Sequence, residues 1–241
     1  MNTYVTSKTV LQQITSIANA LKTDVIAIHA KEKGWELRMI DPAHVSAVKM
    51  EIPKERFERY EQNDPQLDEN SQIDDAFGIP TEKMGKILSI LGDTVQMDVD
   101  DRIIFRSKNI TRTISKNEVD PAPKFPNMNA TTCVEIDTSE TIRAMGTASF
   151  TDAIRFKTNK EGTTIWADGD TDSLSVTLEK ATAEEEAEAS YPMDYIMNAL
   201  KALPKTVTLS YSTDYPMILI CFEPFSIELL VAPRIEQGEP Q

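Results

Sequence analysis

Apolar residues recur along this chain in two rhythms. In 8–22, Val10, Leu11, Ile14, Ile17, Ala18 and Leu21 fall at i, i+1, i+4, i+7, i+8 and i+11, one face of a helix, while Gln12, Gln13, Thr15, Ser16 and Asn19 take the other. The same period returns in 80–91, with Met84, Ile87, Leu88 and Leu91 inward and Lys83 and Lys86 outward. In 192–203, Met193, Ile196, Met197 and Leu200 face inward, leaving Asn198 and Lys201 exposed. A fourth helix is predicted over 139–150, opened by Thr138 or Ser139 as its cap. Between the helices lie short β-rich runs at 24–30, 35–40, 45–52, 94–99, 102–106 and 110–114, then at 133–136, 153–158, 163–167, 173–178, 207–211, 217–222 and 226–231. Lys33-Gly34, Asp41-Pro42, Asp100-Asp101 and Lys108-Asn109 mark turns between them. Residues 117–131 hold Pro121, Pro123 and Pro126 with no period and read as an extended linker. On each side of it the order is strand, helix, three strands, helix, three strands. The pattern predicts an α+β protein of two similar domains, 1–116 and 132–241, with little residue identity between them. Residues 62–75 read as an acidic insertion in the first half, a solvated loop.

Charge sharpens the picture. The chain of 241 residues has a formal net charge of -14 and a pI of about 4.6, which argues against nucleic-acid binding over the whole surface. The four helical segments run the other way. They carry six cations, Lys8, Lys22, Lys83, Lys86, Arg143 and Lys201, against the three carboxylates Glu82, Glu140 and Asp194. Helix faces with few acids and scattered cations suit a polyanion passing close by.

Several classes of chemistry find no support. There are two histidines, His29 and His44, no Cys-x-x-Cys, no Gly-rich phosphate loop, no G-x-S-x-G and no H-E-x-x-H, so no catalytic centre, cofactor or structural metal is expected. Asp168-Gly-Asp-Thr-Asp172, with Glu179 at position 12, has the carboxylate spacing of a calcium loop. Ser173 stands where that loop needs glycine and the flanks read as strands, so a tight turn is expected. The carboxylates at 184–188 read as a solvated acidic loop. Cys133 and Cys221 lie in strand-like runs and suit reduced, buried thiols, with a single disulfide left open. No apolar run approaches about 18 residues and the N-terminus lacks a signal-peptide pattern, so the protein is expected to stay where it is made.

Two strings carry a resemblance: Met39-Ile-Asp-Pro-Ala-His-Val45 between two strands, and Leu230-Val-Ala-Pro-Arg-Ile-Glu236 at the end of the last one. With Ala76-Phe-Gly-Ile-Pro80 before the second helix and Asp214-Tyr-Pro216, they resemble the DNA sliding clamp of archaea and eukaryotes, the proliferating cell nuclear antigen family, in an archaeal spelling. The resemblance covers the whole chain. It implies a homotrimeric ring around double-stranded DNA, held without regard to sequence, with all helices lining the hole and antiparallel sheets outside. The six cations named above become DNA-facing residues. It also implies a pocket for a short peptide motif through which a clamp loader, DNA polymerase, nuclease and ligase would dock. The matching positions are Ile40, His44, Val45 and Ala47, then Pro123, Phe125 and Met128 of the linker, then Pro216, Leu230, Ala232, Pro233 and Ile235. His44 is also compatible with a purely structural, partly buried histidine. Subunits would join by pairing the strand bearing Ile110, Arg112 and Ile114 with the one bearing Leu174, Val176 and Leu178 of the next copy, Arg112 facing Glu179 or the acidic loop after it. The implied location is the cytoplasm, on the nucleoid. The first helix departs from the family, whose members often carry several lysines there. That departure keeps open a clamp-like regulatory paralogue that binds proteins but not DNA.

Overall fold

The computed structural model describes residues 1–62, 75–160, 162–178, 181–183 and 185–235. The first half contains β1 (Asn2–Ser7), α1 (Lys8–Ala20), β2 (Val25–Lys31), β3 (Gly34–Ile40), β4 (Ser46–Pro53), β5 (Phe57–Glu61), β6 (Asp75–Pro80), α2 (Thr81–Ile90), β7 (Thr94–Val99), β8 (Arg102–Ser107) and β9 (Ile110–Ser115). The second half repeats the order: β10 (Thr132–Asp137), α3 (Thr138–Met145), β11 (Ala153–Asn159), β12 (Gly162–Asp168), β13 (Ser173–Leu178), β14 (Ala181–Ala183), β15 (Ala187–Pro192), α4 (Met193–Ala202), β16 (Thr206–Ser210), β17 (Met217–Cys221) and β18 (Ser226–Val231).

The chain divides into two compact units. One holds Met1–Pro42, Val48–Phe125 and Pro224–Ser226; the other holds Ala43–Ala47, Pro126–Glu223 and the residues from Ile227 onward. The linker of 117–131 is thus shared between the units. In the first unit the strands run β5-β1-β7-β8-β9 and β4-β3-β2-β6, and in the second β14-β10-β16-β17-β18 and β13-β12-β11-β15. The order is the same in both, and every register recorded between these strands is antiparallel. Within each unit the two helices pack beside one another, α1 on α2 and α3 on α4.

Each unit has its own aromatic core. In the first, Tyr4, Trp35, Phe57, Tyr60 and Phe77 interlock, with the Trp35 ring 4.8 Å from Phe57 and 5.2 Å from Tyr4, both edge-on. In the second, Phe156, Tyr191 and Tyr211 make mutual edge-on contacts. The Tyr211 hydroxyl bonds Thr158 Oγ1 at 2.5 Å, and burial pushes its pKa up to about 12. The hydroxyl is therefore neutral and remains a hydrogen-bonding group at any working pH.

Several expectations change. The third helix ends at Met145 instead of 150, because Gly146 caps it and the chain then turns through Thr147 and Ala148. Its N-cap is Asp137, not Thr138 or Ser139: Asp137 Oδ1 accepts from Ser139 N–H at 2.9 Å and Glu140 N–H at 3.0 Å. Those bonds hold the Asp137 carboxyl below the usual carboxylate range, the Glu140 N–H contributing most. Thr15, expected on the outer face of α1, is buried and returns its hydroxyl to Leu11 O at 2.7 Å. Strands β5, β6, β14 and β15 were not among the expected runs. Their sequences are short and rich in charge, Gly, Pro and Ala, and pairing with neighbours overrides weak propensity. The expected acidic loop at 184–188 is partly strand: Glu188 lies in β15, 3.6 Å from Arg155 and 3.5 Å from Lys157. Gly169 N–H donates to Asp172 O at 2.9 Å, closing the turn from β12 to β13 that the spacing predicts. The 62–75 insertion (63–74 of it), Glu179 and Glu184 lie outside the described residues.

Cys133 is exposed, not buried, because the alternation in β10 turns it to the face it shares with Glu135. Cys221 is buried, and burial raises its pKa to about 11. Neither cysteine forms a disulfide. The thiolate is the reactive form. One thiol per chain should therefore react with an aromatic disulfide reagent in native buffer, and two after denaturation. Two fast native thiols would contradict this placement.

Candidate functional site

The helices present their cations differently. On α2, Lys83 and Lys86 are exposed, and Lys86 forms an i,i+4 ion pair with Glu82 that sequence reasoning did not anticipate. On α3, Arg143 is exposed in the last turn; on α4, Lys201 is exposed in the last turn. Lys22 is exposed one residue past the cap of α1, at φ 56. It closes a Schellman end, with Thr23 N–H on Ala18 O at 3.1 Å and Lys22 N–H on Asn19 O at 3.0 Å, in a left-handed position that usually takes glycine. Lys8 differs from the others. It is half-buried, and its Nζ donates to Leu91 O at 2.9 Å, the residue that caps α2. The exposed positions of α1 itself are Thr9, Gln12, Ser16 and Asn19, all uncharged.

The residues that match the family's peptide pocket are divided between the units. In the first unit, Ile40 is exposed and Pro123 and Phe125 are half-buried. Arg38 Nη1 donates to Pro123 O at 3.3 Å, fixing the linker there. The start of the linker is held by Gly78, whose N–H and O both bond Asn117. A Cβ at Gly78 would come within 2.7 Å of Val25 and 2.9 Å of Val119, so the glycine of the Ala76–Pro80 string is the space in which the linker lies. Sequence reasoning missed this role, for which the sequence offers just the glycine of the Ala76–Pro80 string.

In the second unit, His44 is exposed at φ 58, so the partly buried histidine is not found. Val45 and Ala47 are half-buried beside the end of β18: Ala232 N–H donates to Val45 O at 2.8 Å and Ser46 Oγ to Leu230 O at 2.8 Å. Leu230 is buried, Ala232, Pro233, Pro216 and Met128 are half-buried, and Ile235 is 75% exposed. Arg234, read only as part of a string, sets this segment. Its N–H donates to Ser190 O at 2.7 Å and its Nη1 pairs with Asp152 at 2.7 Å.

The third group lies on strand edges. Among the described residues, strand β9 has β8 as its one neighbour and β13 has β12. Along β9, Ile110 is half-buried, Arg112 exposed and Ile114 buried. Along β13, Leu174, Val176 and Leu178 are half-buried. Val176 and Leu178 line a cleft of about 560 Å³ with Ile136, Thr141 and Ala144. Glu179, read as the partner of Arg112, lies outside the described residues. Among the described residues no cluster of His, Cys, Asp or Glu could hold a metal ion, and no helix is long and apolar enough to cross a membrane.

No protein-family model matches the chain. Among curated proteins it is 28% identical over 247 residues to the DNA polymerase sliding clamp of Archaeoglobus fulgidus, covering 95% of each. It is 24% identical to that of Thermoplasma acidophilum, covering 94% of this chain and 96% of the relative. Among solved structures, A. fulgidus PCNA bound to the C-terminal region of FEN-1 matches with a TM-score of 0.85 at 25% identity, covering 99% of this chain and 100% of that one. PCNA from Thermococcus kodakaraensis shares the fold, with a TM-score of 0.83 at 19% identity and coverage of 97% and 100%. The resemblance to archaeal DNA sliding clamps of the PCNA kind therefore holds in sequence and in fold across nearly the whole chain.

Proposed function

We propose that the chain is a non-enzymatic DNA sliding clamp, three copies of which close a ring around duplex DNA and tether replication and repair enzymes. The observation that carries this reading is the near full-length match to PCNA in a fold of two topologically repeated units. The exposed helix cations Lys22, Lys83, Lys86, Arg143 and Lys201 are the proposed phosphate contacts. Duplex DNA carries one negative charge per roughly 1.7 Å of axis, so a few separated cations attract it without gripping one register. Arg143 is the single guanidinium in the set, which therefore lacks the array of bidentate donors needed to read several base edges. The edges of β9 and β13 pair between neighbouring copies, and the second unit's segment ending in Ile235 receives an apolar-anchored peptide from a polymerase, nuclease, ligase or clamp loader. The proposed location is the cytoplasm, at the nucleoid.

A second reading, a clamp-like ring that binds proteins but not DNA, is favoured by one observation: the helical stretch of α1 shows solvent no free charge and its one cation is engaged by Leu91 O. One experiment separates the two. Lys86→Glu with Arg143→Glu should leave a native mass of three chains and abolish clamp-dependent primer extension with the clamp loader present. Unchanged extension by the variant would remove these residues from the DNA path. A wild-type ring that never stimulates extension would favour the second reading.

A further inference from the structure

Setting β1–α1 and α2–β7 against β10–α3 and α4–β16 places residue 8 opposite residue 138 and residue 93 opposite residue 205. The same backbone link occurs at both places. Lys8 N–H donates to Asp93 O at 2.6 Å, and Thr138 N–H donates to Lys205 O at 2.8 Å. A side-chain bond accompanies each one: Lys8 Nζ to Leu91 O at 2.9 Å, and Thr138 Oγ1 to Pro204 O at 3.1 Å. In both units, then, the first residue of the leading helix reaches across to the chain leaving the second helix and bonds it twice.

The difference in chemistry follows the helix ends. A lysine at the first position of a helix faces that helix's own positive end, an unfavourable place. The first turn of α1 has no acidic residue to offset it. However, α2 has no basic residue in its last turn, whereas α4 carries Lys201 there. The Lys8 ammonium thus lies against the end of α2, which lacks a cation of its own, and neutral Thr138 suffices beside α4, which has one.

We propose that Lys8 is a positioning residue, a charged clasp that ties the start of α1 to the end of α2 as Thr138 ties α3 to α4, and that it makes no phosphate contact. Its ammonium fixes how the helix pair is seated, and so where Lys83 and Lys86 stand. The proposal rests on the sliding-clamp reading for its DNA measurement alone.

The test compares Lys8→Met, Lys8→Arg and Lys201→Met in the full chain. Lys8→Met should lower Tm by about 2–4 °C, with Lys8→Arg restoring most of it. In wild-type protein with ¹⁵N-labelled lysine and ¹³C-carbonyl-labelled leucine, the Lys8 Nζ signal should be protected from exchange and show coupling to the Leu91 carbonyl. The slope of log binding constant against log salt on duplex DNA should match wild type in Lys8→Met. In Lys201→Met it should fall by about 0.9 for each phosphate that Lys201 neutralises. A Lys8→Met variant with normal Tm and a reduced salt slope would overturn the clasp. Salt slopes near zero for wild type and every variant would instead count against the DNA reading, while the Tm series and the Nζ signal still decide the clasp.

Discussion

Replacing Trp35 with alanine should lower the stability of the N-terminal unit by about 3–5 kcal/mol. The indole is 1% exposed and closes the cluster of Tyr4, Phe57 and Phe77 with edge-on contacts at 4.8–6.0 Å. Its removal leaves an aromatic-sized void and deletes all three of these edge-on contacts, and the remaining rings, Tyr4 stacked on Phe77 and tilted against Phe57, lose their packing partner on that side. Against a typical domain stability of about 5–15 kcal/mol, that loss is a large fraction. The chain offers a selective readout, since Trp35 and Trp166 are its two tryptophans. In Trp35→Ala the remaining indole, on β12, reports the second unit alone, which keeps its own cluster of Phe156, Tyr191 and Tyr211. Circular dichroism should then show an early transition that Trp166 fluorescence does not follow. Coincident transitions at the wild-type Tm would mean that Trp35 does not hold this core together.

The duplicated architecture was legible because both helical and strand periods recur in the same order on either side of a proline-bearing linker. The amphipathic stripes placed α1, α2 and α4 within two residues of their observed ends. What escaped depends on contacts between segments distant in sequence. Strand β6 contains Gly78 and Pro80 and reads as a lead-in to a helix, yet it pairs along β2 over six residues. Cap choice at α3 turned on which of three adjacent oxygens reaches the free amides, and the Asp137 carboxylate accepts from two of them. The candidate site divides in the same way. Charge counting found the exposed cations of α2, α3 and α4 but could not see that Lys8 bends back to a carbonyl 83 residues away. The Ala-Pro-Arg-Ile string was recognisable, but the bond and ion pair that seat Arg234 on Ser190 and Asp152 were not, because nothing in local periodicity links 234 to either.

The other large effect concerns assembly. Val176→Lys with Leu178→Lys should convert a native mass of three chains into that of one, with the fold retained. Both side chains are half-buried on β13, whose other edge has no partner strand among the described residues. An open edge with an alternating half-apolar row is a template for another strand, and lysine is the residue natural sheets use to block such edges. In the proposed ring, the row of Leu174, Val176 and Leu178 is buried by β9 of the neighbouring copy. Both are half-buried already, so losing the remaining burial, about 0.8–1.5 kcal/mol each, weakens each contact by roughly 10–10²-fold. A ring opens when any one contact fails, so the closed trimer is lost well before the chain unfolds. Within the chain itself the cost is small, because a long lysine stem can lie along the cleft with Ile136 and Ala144 while its ammonium reaches water. Native mass spectrometry and circular dichroism on the same sample read the two effects separately. A double variant that still runs at three chains would show that β13 is not where copies meet.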